Sequence, residues 1–178
     1  MYQRRISATK GKGILMIEFN PKFSIAKLSA VELGSLVQLG DNYGFCAHTQ
    51  ASPSQTKSLA LYNAEKGRFE YQEGSNPEVV DFGNKIIIAP TFETYVSSEE
   101  EVPDATDNLF MVDGKKPSIS LRSLNSFFFL DLNSGHLTEI NRKIWAGRFV
   151  EWRAGVRNAD GQFCCLLHVK LHPGPAFS

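Results

Sequence analysis

The chain has 178 residues, 42% of them hydrophobic, and thirteen are phenylalanine. That length suffices for one domain burying roughly 70% of its unfolded surface, without disulfide or metal staples. Nineteen basic and nineteen acidic residues cancel, no apolar run is long enough to span a bilayer, and no signal peptide is visible, which excludes a helical membrane protein and a uniformly basic nucleic-acid binder.

In chain order, Tyr2 to Thr9 alternates weakly and predicts a first strand carrying Arg4 and Arg5. Lys10-Gly11-Lys12-Gly13 reads as a tight corner presenting two ammonium groups. Ile14 to Phe19 predicts a strand that Asn20-Pro21 stops, and Ser24 to Leu28 a second one. Ser29 and Glu32 have capping-box spacing, Leu33, Leu36 and Val37 recur at helical spacing, and Gly40 stands where a helix stops. Together they predict a helix from Ser29 to Leu39. Gly34 inside it implies close approach to a neighbouring strand, because glycine there costs about 1 kcal/mol relative to alanine.

Tyr43 to Thr49, Lys57 to Tyr62 and Arg68 to Gln72 alternate as a three-strand meander. Val79 to Phe82 and Lys85 to Ala89 flank Gly83-Asn84, the sequence of a tight hairpin. Pro117 to Leu121 reads as an edge strand, and the apolar run Phe127 to Leu132 as a strand buried on both faces. After the turn Asn133-Ser134-Gly135, the residues Leu137, Ile140, Ile144, Phe149 and Trp152 predict a second helix, with a hairpin as the rival. Asn158 to Gly161 is a turn and Gln162 to His172 a late strand. The expected fold class is therefore α+β, a single domain over residues 1–178.

Charge is unevenly spread. From Glu93 to Asp113 there are seven acids and no Lys or Arg, so removing that segment leaves nineteen basic against twelve acidic residues, a balance of +7. The chain reads as a basic domain with an acidic insertion at about 91–116, and the local field matters more to an anion than the total.

Phosphate-binding candidates are Arg4, Arg5, Lys10, Lys12, Lys57 and Arg68; the plainer reading of the Lys10-Gly11-Lys12-Gly13 corner is a solvated turn. Tyr43, Phe45, Tyr62, Phe69 and Tyr71 include possible base-stacking platforms, though most belong in a core. Cys46, Cys164 and Cys165 are too few and badly spaced for a disulfide framework, which favours a reducing compartment. Cys164, His168 and His172 recur every fourth residue; on a strand neighbouring members lie about 13 Å apart, too far for one zinc ion. No metal, cofactor or catalytic residue is assigned: P-loop, G-x-S-x-G and H-E-x-x-H patterns are all missing.

The stretch from Lys10 to His48, through K-G-K-G, I-L-M-I-E-F-N-P and F-S-I-A-K-L-S-A-V-E-L-G-S-L-V-Q-L-G, resembles the Whirly family of single-stranded nucleic-acid-binding proteins. Within it, the stretch is most similar to the kinetoplastid mitochondrial RNA-binding proteins. The resemblance implies two antiparallel sheets with packed helices, assembled as a tetramer. It also implies binding of guide RNA through phosphates, promotion of guide RNA/mRNA annealing in mitochondrial RNA editing, and mitochondrial localisation with the transit peptide missing from this chain. The neutral total charge departs from a basic RNA binder and points to a homologous, more basic partner subunit. The alternatives are a single-stranded DNA-binding protein of the same family and a structural β-rich subunit with no nucleic-acid role.

Overall fold

The computed structural model describes residues 23–49, 57–96, 110–113, 116–123, 126–139 and 148–170. The described residues are mostly strand, with two short 3-10 turns and no helix of seven or more residues among them. The expected α+β class with packed helices is thereby corrected to a mostly β fold of two sheets.

The strands are β1 (Ser24–Lys27), β2 (Leu36–Leu39), β3 (Asn42–Thr49), β4 (Ser58–Asn63), β5 (Arg68–Gln72), β6 (Glu78–Asp81), β7 (Ile87–Pro90) and β8 (Tyr95–Val96). They continue as β9 (Phe110–Asp113), β10 (Lys116–Ser123), β11 (Ser126–Asp131), β12 (His136–Glu139), β13 (Arg148–Phe149), β14 (Trp152–Arg157) and β15 (Phe163–Val169). Twelve form one sheet in the order β1-β6-β2-β3-β12-β11-β10-β9-β13-β8, with β4 on β3 and β5 beyond it. The other three form the sheet β15-β14-β7.

The predicted helix from Ser29 to Leu39 is a 3-10 turn at Leu28–Ala30, an irregular link, and then β2. The reason is burial on both faces. Leu36 and Val37 are both fully buried, but in different hydrophobic clusters on opposite sides of the sheet. A strand buried on both sides loses its polar alternation and can mimic helical spacing. The capping-box residues bond elsewhere: the Ser29 N–H donates to Asn76 Oδ1 at 2.8 Å, and Asn84 Nδ2 donates to Glu32 Oε2 at 2.7 Å. The second predicted helix is also corrected. Leu137 lies in β12, Phe149 in β13 and Trp152 opens β14, while 140–147 lie outside the described residues.

Three further expectations change. Gly83-Asn84 joins no hairpin, because β6 and β7 belong to different sheets. The strand at Pro117 to Leu121 is no edge: β10 runs between β9 and β11. Phe128 and Phe129 are only partly buried, whereas Leu130 is fully so. The meander β3-β4-β5 forms as expected, with Phe45 against Ala60 and Tyr62 against Phe69 in register. The strands predicted at Tyr2 to Thr9 and Ile14 to Phe19 lie outside the described residues. So does the middle of the acidic segment, whose two ends are β8 and β9.

β3 is the hub. β2 and β12 share one of its edges and β4 takes the other; the β12 pairing is parallel, His136 opposite His48. Two glycines make this junction possible. Gly34 (φ +79°) and Gly135 (φ +68°) stand backbone against backbone. A Cβ on Gly34 would lie 2.5 Å from the Leu132 carbonyl oxygen, and one on Gly135 only 2.4 Å from the Gly34 nitrogen. The close approach expected of Gly34 is present, made by a left-handed turn and not by a helix.

The larger cluster lies between the two sheets, with Trp152 of β14 at its centre. Its indole stacks on Phe69 of β5 at 6.1 Å and 8° and touches Phe45 and Phe110. The smaller cluster, on the opposite side of β3, holds Leu28, Val31, Val37, Cys46, Leu59, Leu61 and Val79. Burial there pushes the Cys46 thiol up to about 11.

Candidate nucleic-acid interface

Of the sequence-predicted cations, the two that are described, Lys57 and Arg68, are not brought together. Arg4, Arg5, Lys10 and Lys12 lie outside the described residues. Lys57 turns its ammonium onto the carbonyl oxygens of Ser29 (2.9 Å) and Val31, fastening the 3-10 turn to the start of β4. Arg68 is exposed at the far end of the same hairpin, opposite Asn63 and about 20 Å from Lys57. It shares Glu70 with Lys66, at 3.9 and 2.5 Å respectively. The Lys66 hydrogen bond, then that of Asn63, hold the Glu70 carboxyl below the usual range. Of the aromatics, Phe45, Tyr62 and Phe69 are core, while Tyr43 and Tyr71 are partly buried against it.

A different surface collects exposed cations: the outer face of the three-stranded sheet. β14 reads Trp-Arg-Ala-Gly-Val-Arg, and its burial alternates accordingly. Trp152, Ala154 and Val156 face the core, leaving Arg153 and Arg157 on the outside with Gly155 between them. On β15, Phe163 pairs with Arg157, Cys165 with Gly155 and His168 with Arg153, so these three share the outer face. The neighbours contributed by β7 are small or aliphatic: Ala89 beside Arg153 and Ile87 beside Gly155.

Gly155 lets this face close up. A Cβ there would lie 2.0 Å from the Cys164 carbonyl oxygen and 2.9 Å from the Phe163 ring. The ring therefore lies over bare backbone where a side chain would otherwise stand, and Phe163 is still 37% exposed. The hairpin turn holds it there. Asn158, almost fully buried, accepts from the N–H groups of Asp160 (3.0 Å) and Gln162 (2.8 Å), and Arg157 Nη1 donates to the Gly161 carbonyl at 2.5 Å.

Neither Arg153 nor Arg157 has a carboxylate within 4.0 Å among the described residues; the ion pairs found there involve Lys27, Lys66, Arg68 and His168. Glu151 borders the face, its carboxylate 2.8 Å from His168 Nε2. That hydrogen bond, with Lys170 and Arg153 adding to it, holds the Glu151 carboxyl below the usual range. Phe163, Arg153 and Arg157 are about 13 Å of strand or less from one another, so a polyanion with planar groups can meet two guanidinium groups and a ring at once. The signal was present in the sequence. Trp152 to Arg157 alternates with period two, but the helical reading of Leu137 to Trp152 ended on its first residue and hid the pattern.

Among the described residues no helix is long and apolar enough to cross a membrane, and no three or more His, Cys, Asp or Glu side chains gather as metal ligands. No protein-family model, curated protein or solved structure matches the chain.

Proposed function

We propose that this chain is a non-catalytic, single-stranded RNA-binding protein whose strand lies along the outer face of β7, β14 and β15. The observation that carries the reading is the pair Arg153 and Arg157, exposed on one face without carboxylate partners among the described residues, on either side of a glycine covered by the Phe163 ring. Guanidinium groups fork onto phosphate oxygens, and a ring between them offers one base a stacking surface. A duplex hides its bases in the stack, so the ring favours a single strand.

The guide-RNA role belongs to the same proposal. Neutralising the phosphates of one strand lowers the repulsion its complement meets, which promotes annealing, here in mitochondrial RNA editing. The cancelling total charge supports a tetramer in which a homologous, more basic subunit shares the RNA.

The test is RNA affinity by fluorescence anisotropy across a salt series, with matched single-stranded DNA and duplex RNA. For single strands, log K falls with log[salt] at about −0.7 per phosphate neutralised, so Arg153→Ala with Arg157→Ala should make the slope shallower by about 1.4. Phe163→Ala should weaken binding at all salts without changing the slope. Tighter binding of DNA than of RNA would favour the DNA-binding alternative, and an unchanged slope in the double variant would remove this face from the reading.

A further inference from the structure

Glu151 works against the anion that its neighbours attract. Its side chain is 26% exposed at the foot of β14, and His168, Lys170 and Arg153 all lie close enough to act on its charge. The backbone there is clamped: the Glu151 N–H donates to Thr94 Oγ1 at 3.1 Å, and the Glu151 carbonyl accepts from the Thr91 N–H at 2.9 Å. His168 Nε2 then holds Oε1 at 2.8 Å, while Oε2 has no hydrogen-bond partner among the described residues. His168 pairs with Arg153 in register, so the carboxylate reaches the side of the sheet where that guanidinium stands.

A fixed carboxylate beside Arg153 repels every phosphate the arginine attracts, so it costs affinity for any polyanion unless the ligand brings a donor to its spare oxygen. An ionised carboxylate only accepts, which selects hydroxyl and amino groups. On RNA the donor nearest a phosphate is the ribose 2′-hydroxyl, next to the phosphorylated 3′ oxygen, and DNA lacks it. A phosphate on Arg153 brings that hydroxyl toward a residue two positions away, at most about 7 Å of backbone. A hydrogen bond from a hydroxyl to a charged oxygen is of the stronger kind.

We propose that Glu151, positioned by His168, accepts a hydrogen bond from the 2′-hydroxyl of the nucleotide whose phosphate meets Arg153, and so makes this face select RNA over DNA. The inference rests on the reading of β7, β14 and β15 as a single-strand surface. It adds what that reading lacks. Arg153, Arg157 and the Phe163 ring meet phosphates and a base, which both nucleic acids carry, whereas Glu151 meets a group found in RNA alone.

The experiment measures anisotropy with oligouridylate, oligodeoxyuridylate and 2′-fluoro-oligouridylate of equal length, at one salt concentration. The fluoro strand keeps an RNA-like sugar pucker and has no hydroxyl donor. The unaltered chain should bind the ribo strand tighter than the other two by about three- to tenfold. Glu151→Ala should bring the three together, and His168→Ala should bring them part of the way. Glu151→Gln keeps an oxygen acceptor and loses the charge, so it should tighten all three and preserve their order. If Glu151→Ala does not fold, Glu151→Asp, which withdraws the carboxylate by one methylene, takes its place with the same expectation. A fluoro strand bound as tightly as the ribo strand, or a preference that survives loss of the carboxylate, would overturn the proposal and leave the arginine face standing. No change of salt slope in the arginine double variant would instead remove that face, and this inference with it.

Discussion

Two hairpins face each other across the core, and they treat their charges in opposite ways. β4-β5 and β14-β15 are both antiparallel, and their inner faces meet where Phe69 stacks on Trp152. The Tyr62 hydroxyl of β4 also reaches the Lys170 carbonyl beyond β15, at 3.5 Å. On the outside they diverge. Lys57 is spent on backbone carbonyls, and Lys66 and Arg68 share Glu70. Across the core, Arg153 and Arg157 have no carboxylate within 4.0 Å among the described residues. The inner faces are set by packing; the outer faces distinguish a hairpin whose cations meet carbonyls and a carboxylate from one whose two arginines, among the described residues, meet no carboxylate. Counting cations would not separate them, because what differs is the partner each cation has.

The largest way to break the comparison is to remove the shared centre. Trp152→Ala should destabilise the protein by about 3–5 kcal/mol, measured by urea denaturation, because it empties the site against which both hairpins pack. Loss confined to one hairpin, with hydrogen exchange unchanged in the other, would show that they are not held by a common core.

A more selective break is Gly155→Ala. Its Cβ has no room beside the Cys164 carbonyl, so the variant should cost roughly 1–3 kcal/mol and tilt the Phe163 ring. A denaturation midpoint for Gly155→Ala equal to that of the unaltered chain would contradict the close approach.

Exchanging cations sharpens the contrast without disturbing the core. Replacing Lys66 and Arg68 by alanine should leave the salt slope of RNA binding unchanged, while the Arg153 and Arg157 pair makes it shallower. Both pairs are exposed, so each double variant should stay within about 1 kcal/mol of the unaltered stability. Equal slope changes in the two variants would erase the distinction between the hairpins.

The smallest effects concern the two bordering carboxylates. Glu70 and Glu151 both have carboxyl groups held below the usual range, so each contributes stability above that range and loses it as pH falls through its depressed value. Glu70→Gln and Glu151→Gln should each flatten a little of the acid limb of a stability–pH profile; exposed pairs of this kind contribute little. They should differ in binding. Glu151→Gln removes a negative charge from the arginine face and should tighten RNA, whereas Glu70→Gln should leave affinity alone. The reverse pattern, read by anisotropy at low salt, would move the interface to β5.

Much of the strand content was legible in the residues. The alternation of Tyr43, Phe45 and Ala47 against Gly44, Cys46 and His48, and of Phe69 and Tyr71 against Arg68 and Glu70, announced a meander that forms. These strands show period two because their neighbours on the two faces differ. The helices were misread for the complementary reason. Leu36 and Val37 both find apolar surroundings, so position two apart carried no contrast, and Ser29 and Glu32 had a local use that tertiary partners outbid.

The sequence by itself marked the turns at Asn133-Ser134-Gly135 and Asn158 to Gly161, the alternating strands of the meander, and a segment with seven acids and no Lys or Arg. These are properties of adjacent residues: glycine and asparagine tolerate turn geometry, and alternation follows from the pleat. Only the tertiary structure decided that β2 and β12 share one edge of β3, that β6 and β7 part into separate sheets, and that Lys57 reaches carbonyls of a distant turn while Arg153 and Arg157 have no carboxylate within 4.0 Å among the described residues. Each depends on groups far apart in the chain, as with Gly34 meeting Gly135 and Lys57 meeting Val31. A cation's availability is the sum over such distant partners, and local spacing does not contain it.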